Sequence, residues 1–386
     1  MNILYYFWNE NSKDDCVECL KKQGHNVKVW EKKFRNYNSD SDFSESLISE
    51  IKKFSADCVF SFDYFPLLSQ GAQEEGVLYI SWVYDCPHYT LESETLSNEC
   101  NNVFLFDYAL YDMYRTQGFK TVYYMPLPVN VQRLKKIGSK RLVNGHAVYR
   151  HDISFVGSLY NDEHNYFDQI NVLPDYLKGY LDSIIGVQEK IYGMDLIGEL
   201  VTDEMCEEIG KYVKVSLGEG FRDNRNNILR DIIRKKVTVN ERKTLLSLLG
   251  NNYSVALYSG VNPPKGMNVE YFGTVDYLKE MPNVFLESKI NLNISLRSIL
   301  SGIPLRVVDI LGAGGFCMTN YQLELEEYFE NGKELVWFDS REDMLDKTEY
   351  YLKHDSEREK IALYGNRAAE EIFSYEVLLR KIMECV

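Results

Sequence analysis

The sequence predicts an α/β protein of two Rossmann-like lobes, the second carrying a helical insertion. Three observations lead there. The chain has 386 residues, more than one core ordinarily organises. Short apolar runs alternate with amphipathic stretches in two successive series, the pattern of parallel strands joined by crossover helices. Within the second series, about 90 residues of helical pattern separate the first two apolar runs, whereas a crossover needs only about a dozen.

The first series opens with NILYYFW, followed by a helical pattern from Asp14 to Gln23, the strand pattern HNVKVWE and a helix from Phe43 to Phe54. DCVFSFD and VLYISWVYD follow as strands, and Asn102 to Phe106 and Thr121 to Tyr124 extend the same sheet. Strand alternating with helix in this way is the signature of a parallel sheet with crossover helices. PLPVN marks the exit from the lobe.

The second series begins at DISFVGS and continues through YSVALYSG, NVEYFGTV, KINLNIS, GGFCMTN and ELVWF. Between its first two strands, LPDYLKGYLDSIIGVQEKIYG, DEMCEEIGKYV, RNNILRDIIRKKV and VNERKTLLSLLG read as four separate helices. The expected divisions are 1–145 for the first lobe and 146–373 for the second, with the insertion at about 161–252. Residues 374–386 form a last helical segment.

Composition narrows the function. A formal charge of −15 disfavours general binding to nucleic acid or anionic membrane, which needs clustered Lys and Arg. No apolar stretch approaches the roughly 20 residues of a membrane span. The first residues lack the basic flank of a signal peptide and read as a buried strand. Eight scattered cysteines suggest no disulfide framework and fit a cytoplasmic location. Cys16 and Cys19 read as two small apolar residues on a helix face, and Asp40-Ser41-Asp42 as a helix cap. No metal is expected.

Ligands of open parallel sheets lie beyond the carboxyl ends of the strands. The segment Lys289 to Phe316 runs strand, loop, helix and glycine cluster. Gly302 and Pro304 suit the first turn of its helix, whose free N–H groups and positive dipole end make an anion site. Arg306 in that turn and Arg297 on the preceding loop can meet a diphosphate. Asp309, three residues on, shares the helix face of Arg306 and can accept hydroxyls of a ribose, or simply pair with the arginine. Gly312, Gly314 and Gly315 close the helix. In the first lobe, WVYDCPH places Asp85 and His88 at a strand's carboxyl end, as candidates to take a proton from an acceptor hydroxyl or as an ordinary turn. Asp63 and Tyr64 end the preceding strand.

The chain resembles the bacterial glycosyltransferases similar to spore maturation protein CgeB, of GT-B fold. FSFDYFP, YISWVYDCPH and YYMPLPVN resemble the N-terminal domain that often precedes the transferase part. DISFVGSLYND, LPDYLKGYLD, SGIPLRVVDILGAGGFCMTNY and YFENGKELVWF resemble that transferase part. The resemblance implies transfer of a hexosyl or N-acetylhexosaminyl group from a nucleotide-diphosphate sugar, UDP-sugar favoured. The acceptor would be a polysaccharide or protein, bound in the interlobe cleft without a metal or other cofactor. The donor-binding set would be Gly157, Ser158, Gly273, Thr274, Val275, Arg297, Arg306, Asp309, Gly314 and Gly315. In this fold the final helix commonly crosses back to the first lobe. Many retaining members carry two glutamates with seven residues between them. Here the positions at that spacing from Asp309 are Ser301 and Cys317, which leaves the stereochemical outcome open. A sugar-nucleotide epimerase or hydrolase of the same fold, and a non-catalytic nucleotide-sugar-binding protein, are the alternatives.

Overall fold

The computed structural model describes residues 1–138, 142–143, 146–163, 165–170 and 172–386. It forms two compact units: one of Met1–Pro128, Ser216–Asn224 and Phe373–Val386, the other of Val129–Val215 and Arg225–Ile372. The expected lobe boundary at residue 145 lies outside the described residues.

The first unit contains β1 (Asn2–Tyr6), α1 (Lys13–Lys22), β2 (Asn26–Trp30), α2 (Ser41–Phe54), β3 (Cys58–Phe62) and α3 (Pro66–Glu75). It continues through β4 (Leu78–Val83), β5 (Asn101–Leu105), α4 (Tyr108–Thr116) and β6 (Val122–Tyr124). Its strands pair in parallel in the order β2-β1-β3-β4-β5-β6. Alternate side chains supply two cores, because successive residues of a strand face opposite sides. Leu4, Tyr6, Val59 and Tyr79 join Phe43, Leu47 and Leu68 on one side. Ile3, Tyr5, Phe60 and Trp82 join Cys16, Cys19 and Leu20 on the other.

Two local features explain themselves at the residue level. Asp40 stands at the N-cap of α2, where its side chain accepts from the Phe43 N–H at 3.1 Å, so the Asp-Ser-Asp run begins a helix. Helix α3 escapes the sequence pattern. Its buried apolar residues crowd into its first two turns, and Gly71, a poor helix former, sits mid-helix. A Cβ there would lie 2.5 Å from Leu47 Cδ2, so close packing requires the glycine.

The second unit begins with α5 (Val131–Ile137), the short antiparallel pair β7 (Leu142–Val143) and β8 (His146–Ala147), and β9 (His151–Val156). Helices α6 (Asp175–Gln188), α7 (Leu196–Leu200), α8 (Asp203–Gly210) and α9 (Arg225–Gly250) follow. The chain then runs through β10 (Val255–Tyr258), β11 (Glu270–Gly273), α10 (Met281–Leu286), β12 (Ser288–Asn293), α11 (Leu305–Ala313) and β13 (Cys317–Asn320). It closes with α12 (Leu325–Tyr328), β14 (Val336–Phe338), α13 (Arg341–Lys353) and α14 (Asp355–Ile372). The sheet is parallel, ordered β11-β10-β9-β12-β13-β14. The last helix, α15 (Tyr375–Cys385), lies in the first unit, where Tyr375, Leu378, Leu379 and Ile382 complete the core around Trp82.

Helix α9 corrects the expectation of two helices. Buried positions 229, 233, 237, 241, 245 and 249 run across the Val-Thr-Val stretch without a break, and their four-residue spacing winds slowly around the 3.6-residue helix, so the two ends face different sides. Its first half packs on α6, α7 and α8 through Leu229, Ile233 and Val237. Its second half packs under the sheet through Leu245, Leu246 and Leu249. β-branched residues weaken a helix only slightly, and burial at both ends outweighs that preference. Among the described residues no helix is long and apolar enough to cross a membrane.

Candidate functional site

In the second unit, strand order reverses direction at β9, so the switch point lies at the carboxyl ends of β9 and β12. The loops leaving these strands are joined there by Arg242 of α9. It donates to the Ile294 carbonyl at 3.1 Å and to the Ser158 carbonyl, and stacks over the rings of Phe155 and Tyr160. Burial, together with the nearby Arg306, lowers its pKa. Gly157 and Ser158 begin the loop after β9, where the Ser158 hydroxyl accepts from the Tyr160 N–H at 3.0 Å. Lys235, also on α9, sits over the Tyr160 ring.

Arg306 lies at the same sheet edge. Helix α11 starts at Leu305, with Pro304 at the N-cap and not inside the first turn, so Arg306 is the second helical residue. Its guanidinium donates to the Val156 carbonyl at 3.0 Å and meets Asp309 at 3.2 Å. Arg306 keeps 26% of its side chain exposed, whereas Asp309 keeps 2%. The Asp309 carboxylate also accepts the Tyr277 hydroxyl at 2.8 Å. Burial and the adjacent carboxylate hold the Tyr277 pKa well above its ordinary value, so it stays a donor. Arg306 thus presents a positioned cation, while Asp309 is engaged from two sides. Gly273, Thr274 and Val275 leave β11 at this edge, with Gly273 at φ +74° and its carbonyl accepting from the Ser259 N–H.

Three expected donor residues stand elsewhere or serve otherwise. Arg297 forms a bidentate pair with Glu241 at 2.9 and 3.1 Å, donates to the Ile191 carbonyl at 2.9 Å and stacks on Tyr192. With 9% of its side chain exposed and three of its five N–H donors engaged, it fastens the loop after β12 to α9. Gly314 and Gly315 lie at the amino end of β13, the opposite edge of the sheet. Gly314 caps α11 at φ +83°, and a Cβ on Gly315 would come within 2.7 Å of Asn291 Nδ2. Both glycines serve packing.

The first unit gathers acids at its corresponding edge. Asp63 follows β3 with φ +58°, a conformation that Asp tolerates better than most residues. Its buried carboxylate accepts the N–H groups of Tyr84 and Asp85 at 3.0 and 3.1 Å. Burial outweighs those bonds and pushes its pKa up to about 6. Asp85 reaches solvent from a recess crowded by protein. That desolvation, with the neighbouring Asp63, raises its pKa to about 6. His88 is held by Tyr64, whose N–H lies 3.0 Å from Nε2, and by the Thr90 hydroxyl at 2.7 Å. Burial lowers its pKa and favours the neutral ring. With Nε2 engaged, Asp85 is the better placed of the two expected bases.

Asp63, Asp85 and His88 each offer a ligand atom within 4.8 Å of one another, so among the described residues these three are also a group that could hold a metal ion. Sequence reading brought Asp85 and His88 forward and ranked Asp63 below them. It missed Arg242, Lys235 and Tyr277. Arg242 is one of many charges in α9, and only burial distinguishes it.

Residues 225–384 match the family model described as glycosyl transferase-like. The matched stretch carries α9, Arg306 and Asp309. No curated protein sequence matches the chain. Sucrose-phosphate synthase from Thermosynechococcus elongatus is similar in structure at 8% identity and TM-score 0.57, covering 100% of this chain and 98% of that one. A glycosyltransferase from Rickettsia africae is similar at 11% identity and TM-score 0.52, covering 100% and 97%. The Anabaena protein HepE in complex with UDP is similar at 8% identity and TM-score 0.51, covering 100% and 99%. The two six-stranded parallel sheets are therefore those of the GT-B glycosyltransferase fold.

Proposed function

We propose that the chain is a metal-independent glycosyltransferase that moves a hexosyl or N-acetylhexosaminyl group from a nucleotide-diphosphate sugar to a hydroxyl of a polysaccharide or protein. The observation that carries this reading is Arg306, a partly exposed cation at the carboxyl edge of the sheet within the glycosyl transferase-like segment. HepE, similar in fold, was solved with UDP and with UDP-glucose, which supports a uridine donor here.

In this reaction the acceptor oxygen gives its proton to Asp85 and bonds to the anomeric carbon. The bond from that carbon to the phosphate oxygen breaks, and the nucleoside diphosphate leaves with the electron pair. Arg306 and the N–H groups opening α11 stabilise the charge that grows on it. A carboxylate with a raised pKa is a stronger base than an ordinary one and remains mostly ionised above about pH 6.

A ligand that binds the native state raises its melting temperature, so a thermal-shift panel of UDP, GDP, ADP, CDP and their sugars tests the donor site. UDP or a UDP-sugar should raise the midpoint of the native protein and leave that of Arg306→Ala unmoved. Equal shifts in both proteins would remove Arg306 from the site. Likeness to a protein from Listeria monocytogenes described as a UDP-N-acetylglucosamine 2-epimerase, at TM-score 0.51, motivates a second measurement. Free epimerised or hydrolysed sugar formed without acceptor would favour that chemistry over transfer.

A further inference from the structure

The first unit holds a cavity of about 460 Å³ that neither the donor site nor the Asp85 cluster uses. Its size falls within the roughly 300–1,000 Å³ of small-molecule sites. Four elements build it: the loop after β2, Gln70 of α3, the loop after β4 and residues 216–224, which come from the insertion and lie in this unit. The last stretch is fastened by backbone. Ser93 bridges Phe221 in antiparallel fashion, the Glu94 N–H donates to the Gly220 carbonyl at 3.1 Å and the Arg222 N–H to the Glu92 carbonyl at 2.8 Å. Asn38 donates to the Glu219 carbonyl at 2.5 Å, and Gln70 to the Asn38 carbonyl at 3.2 Å. Arg222 anchors the stretch through Glu92 at 2.7 Å and the ring of Phe119.

The lining chemistry is selective. Arg35, Tyr37, Asn38, Gln70, Glu94 and Glu219 are prominent in it. Neutral amides and two carboxylates around one arginine disfavour a polyanion, and so polar a wall disfavours an acyl chain. Amides, carboxylates and an arginine match the alternating donors and acceptors of vicinal hydroxyls. Tyr37, 51% exposed and braced edge-on by Phe34, offers an aromatic face on which the C–H side of a pyranose can lie. The cavity wall is also tied to the acid cluster. Thr95, which lines the cavity, bonds the Tyr64 hydroxyl at 2.8 Å, and the backbone of the same Tyr64 bonds His88.

We infer that this cavity is a saccharide subsite that holds a sugar ring of an oligosaccharide acceptor, with residues 216–224 as one wall. The inference rests on the transferase reading for the word acceptor; the binding itself does not. The test is saturation-transfer NMR on the full chain with cellotriose, maltotriose, chitotriose and a β-1,3-glucan trimer, each at millimolar concentration, against an unglycosylated Ser/Thr-rich peptide. At least one trisaccharide should show saturation transfer, with its dissociation constant raised tenfold or more in Tyr37→Ala and in Gln70→Ala. Circular dichroism should show both variants folded. Binding of the peptide alone, of no trisaccharide, or equal binding by both variants would overturn the inference. The UDP-sugar thermal shift is measured on the same samples. A preserved shift without saccharide binding removes only the subsite, and saccharide binding without any nucleotide response removes only the transferase reading.

Discussion

The two sheets share a winding rule and differ in the charge they collect. Both are parallel, six-stranded and reverse direction beside an inner strand. At the carboxyl edge of the first stand Asp63, whose pKa burial pushes up, and Asp85, whose pKa is raised by its crowded recess and by the neighbouring Asp63. The corresponding edge of the second has Arg242, Arg306 and Lys235 around the loops after β9 and β12. The difference teaches that the same winding can gather carboxyls at one edge and cations at another, so the charge at an edge does not follow from the shared topology.

The sharpest way to break that comparison is to remove the base. Asp85→Asn should reduce transfer by about 10²–10⁴-fold while leaving the UDP-sugar thermal shift intact. In the native protein the rate should rise through about pH 6 as the carboxyl pair loses its proton, and Asp85→Asn should lack that limb. Rates measured from pH 5 to 8 decide it, and an unchanged rate would leave Asp85 as a turn residue. Dialysis against EDTA should not alter the native rate. Loss of activity restored by a divalent cation would turn Asp63, Asp85 and His88 into ligands instead.

Arg297 tests the other side by its failure to join it. Arg297→Ala leaves Glu241 buried and unpaired, which should cost about 3–5 kcal/mol in chemical denaturation. The double variant Arg297→Met, Glu241→Met should recover much of that loss, because no isolated charge remains. A variant that kept full stability but lost donor binding would return Arg297 to the anion site. Arg306→Ala should lower kcat/KM by about 10²–10³-fold, the range for a removed transition-state donor. Arg306→Lys should recover only part of it, since a lysine loses the fork geometry.

The smallest effect concerns Asp63. A carboxyl with a raised folded pKa contributes its full stability below its unfolded pKa and loses it as pH rises through the folded value. With Asp63 at about 6, stability should fall between about pH 4 and 6. Asp63→Asn keeps an acceptor for the two N–H groups and tolerates the positive φ. Relative to the native protein, it should gain up to about 3 kcal/mol in denaturation at pH 8 over pH 4. Parallel behaviour at both pH values would show that Asp63 carries no such burden.

Much of this arrangement was legible in the sequence for a physical reason. Short strands rich in apolar and aromatic residues stand out between polar stretches, and NILYYFW, DCVFSFD and KINLNIS announce their sheets, although Asn291 and Asn293 in the last of these are polar and buried. Asp85 was legible because the chain leaves such a run directly into polar residues. Arg306 was legible from the glycine and proline before it. The roles of Arg297 and Arg306 were not separable, since each is an arginine after a strand, and only Glu241, 56 residues away in the chain, decides between them. Gly314 and Gly315 misled in the same way: glycines beside a ligand and glycines under a neighbouring strand look alike in a string of letters. Helix α9 looked broken because its two ends serve two different cores.

The position of α15 has a consequence in time. A ribosome releases the first unit's strands before the second unit, yet Tyr375, Leu378, Leu379 and Ile382, which pack with Ile3, Phe60, Trp82 and Phe104, emerge only after it. Throughout synthesis of the intervening chain, one face of that sheet has α1 but lacks the rest of its cover, and it exposes aromatic surface of the kind that recruits chaperones or aggregates. A chain cut just short of residue 373 would therefore harm the unit whose strands lie at the other end of this sequence.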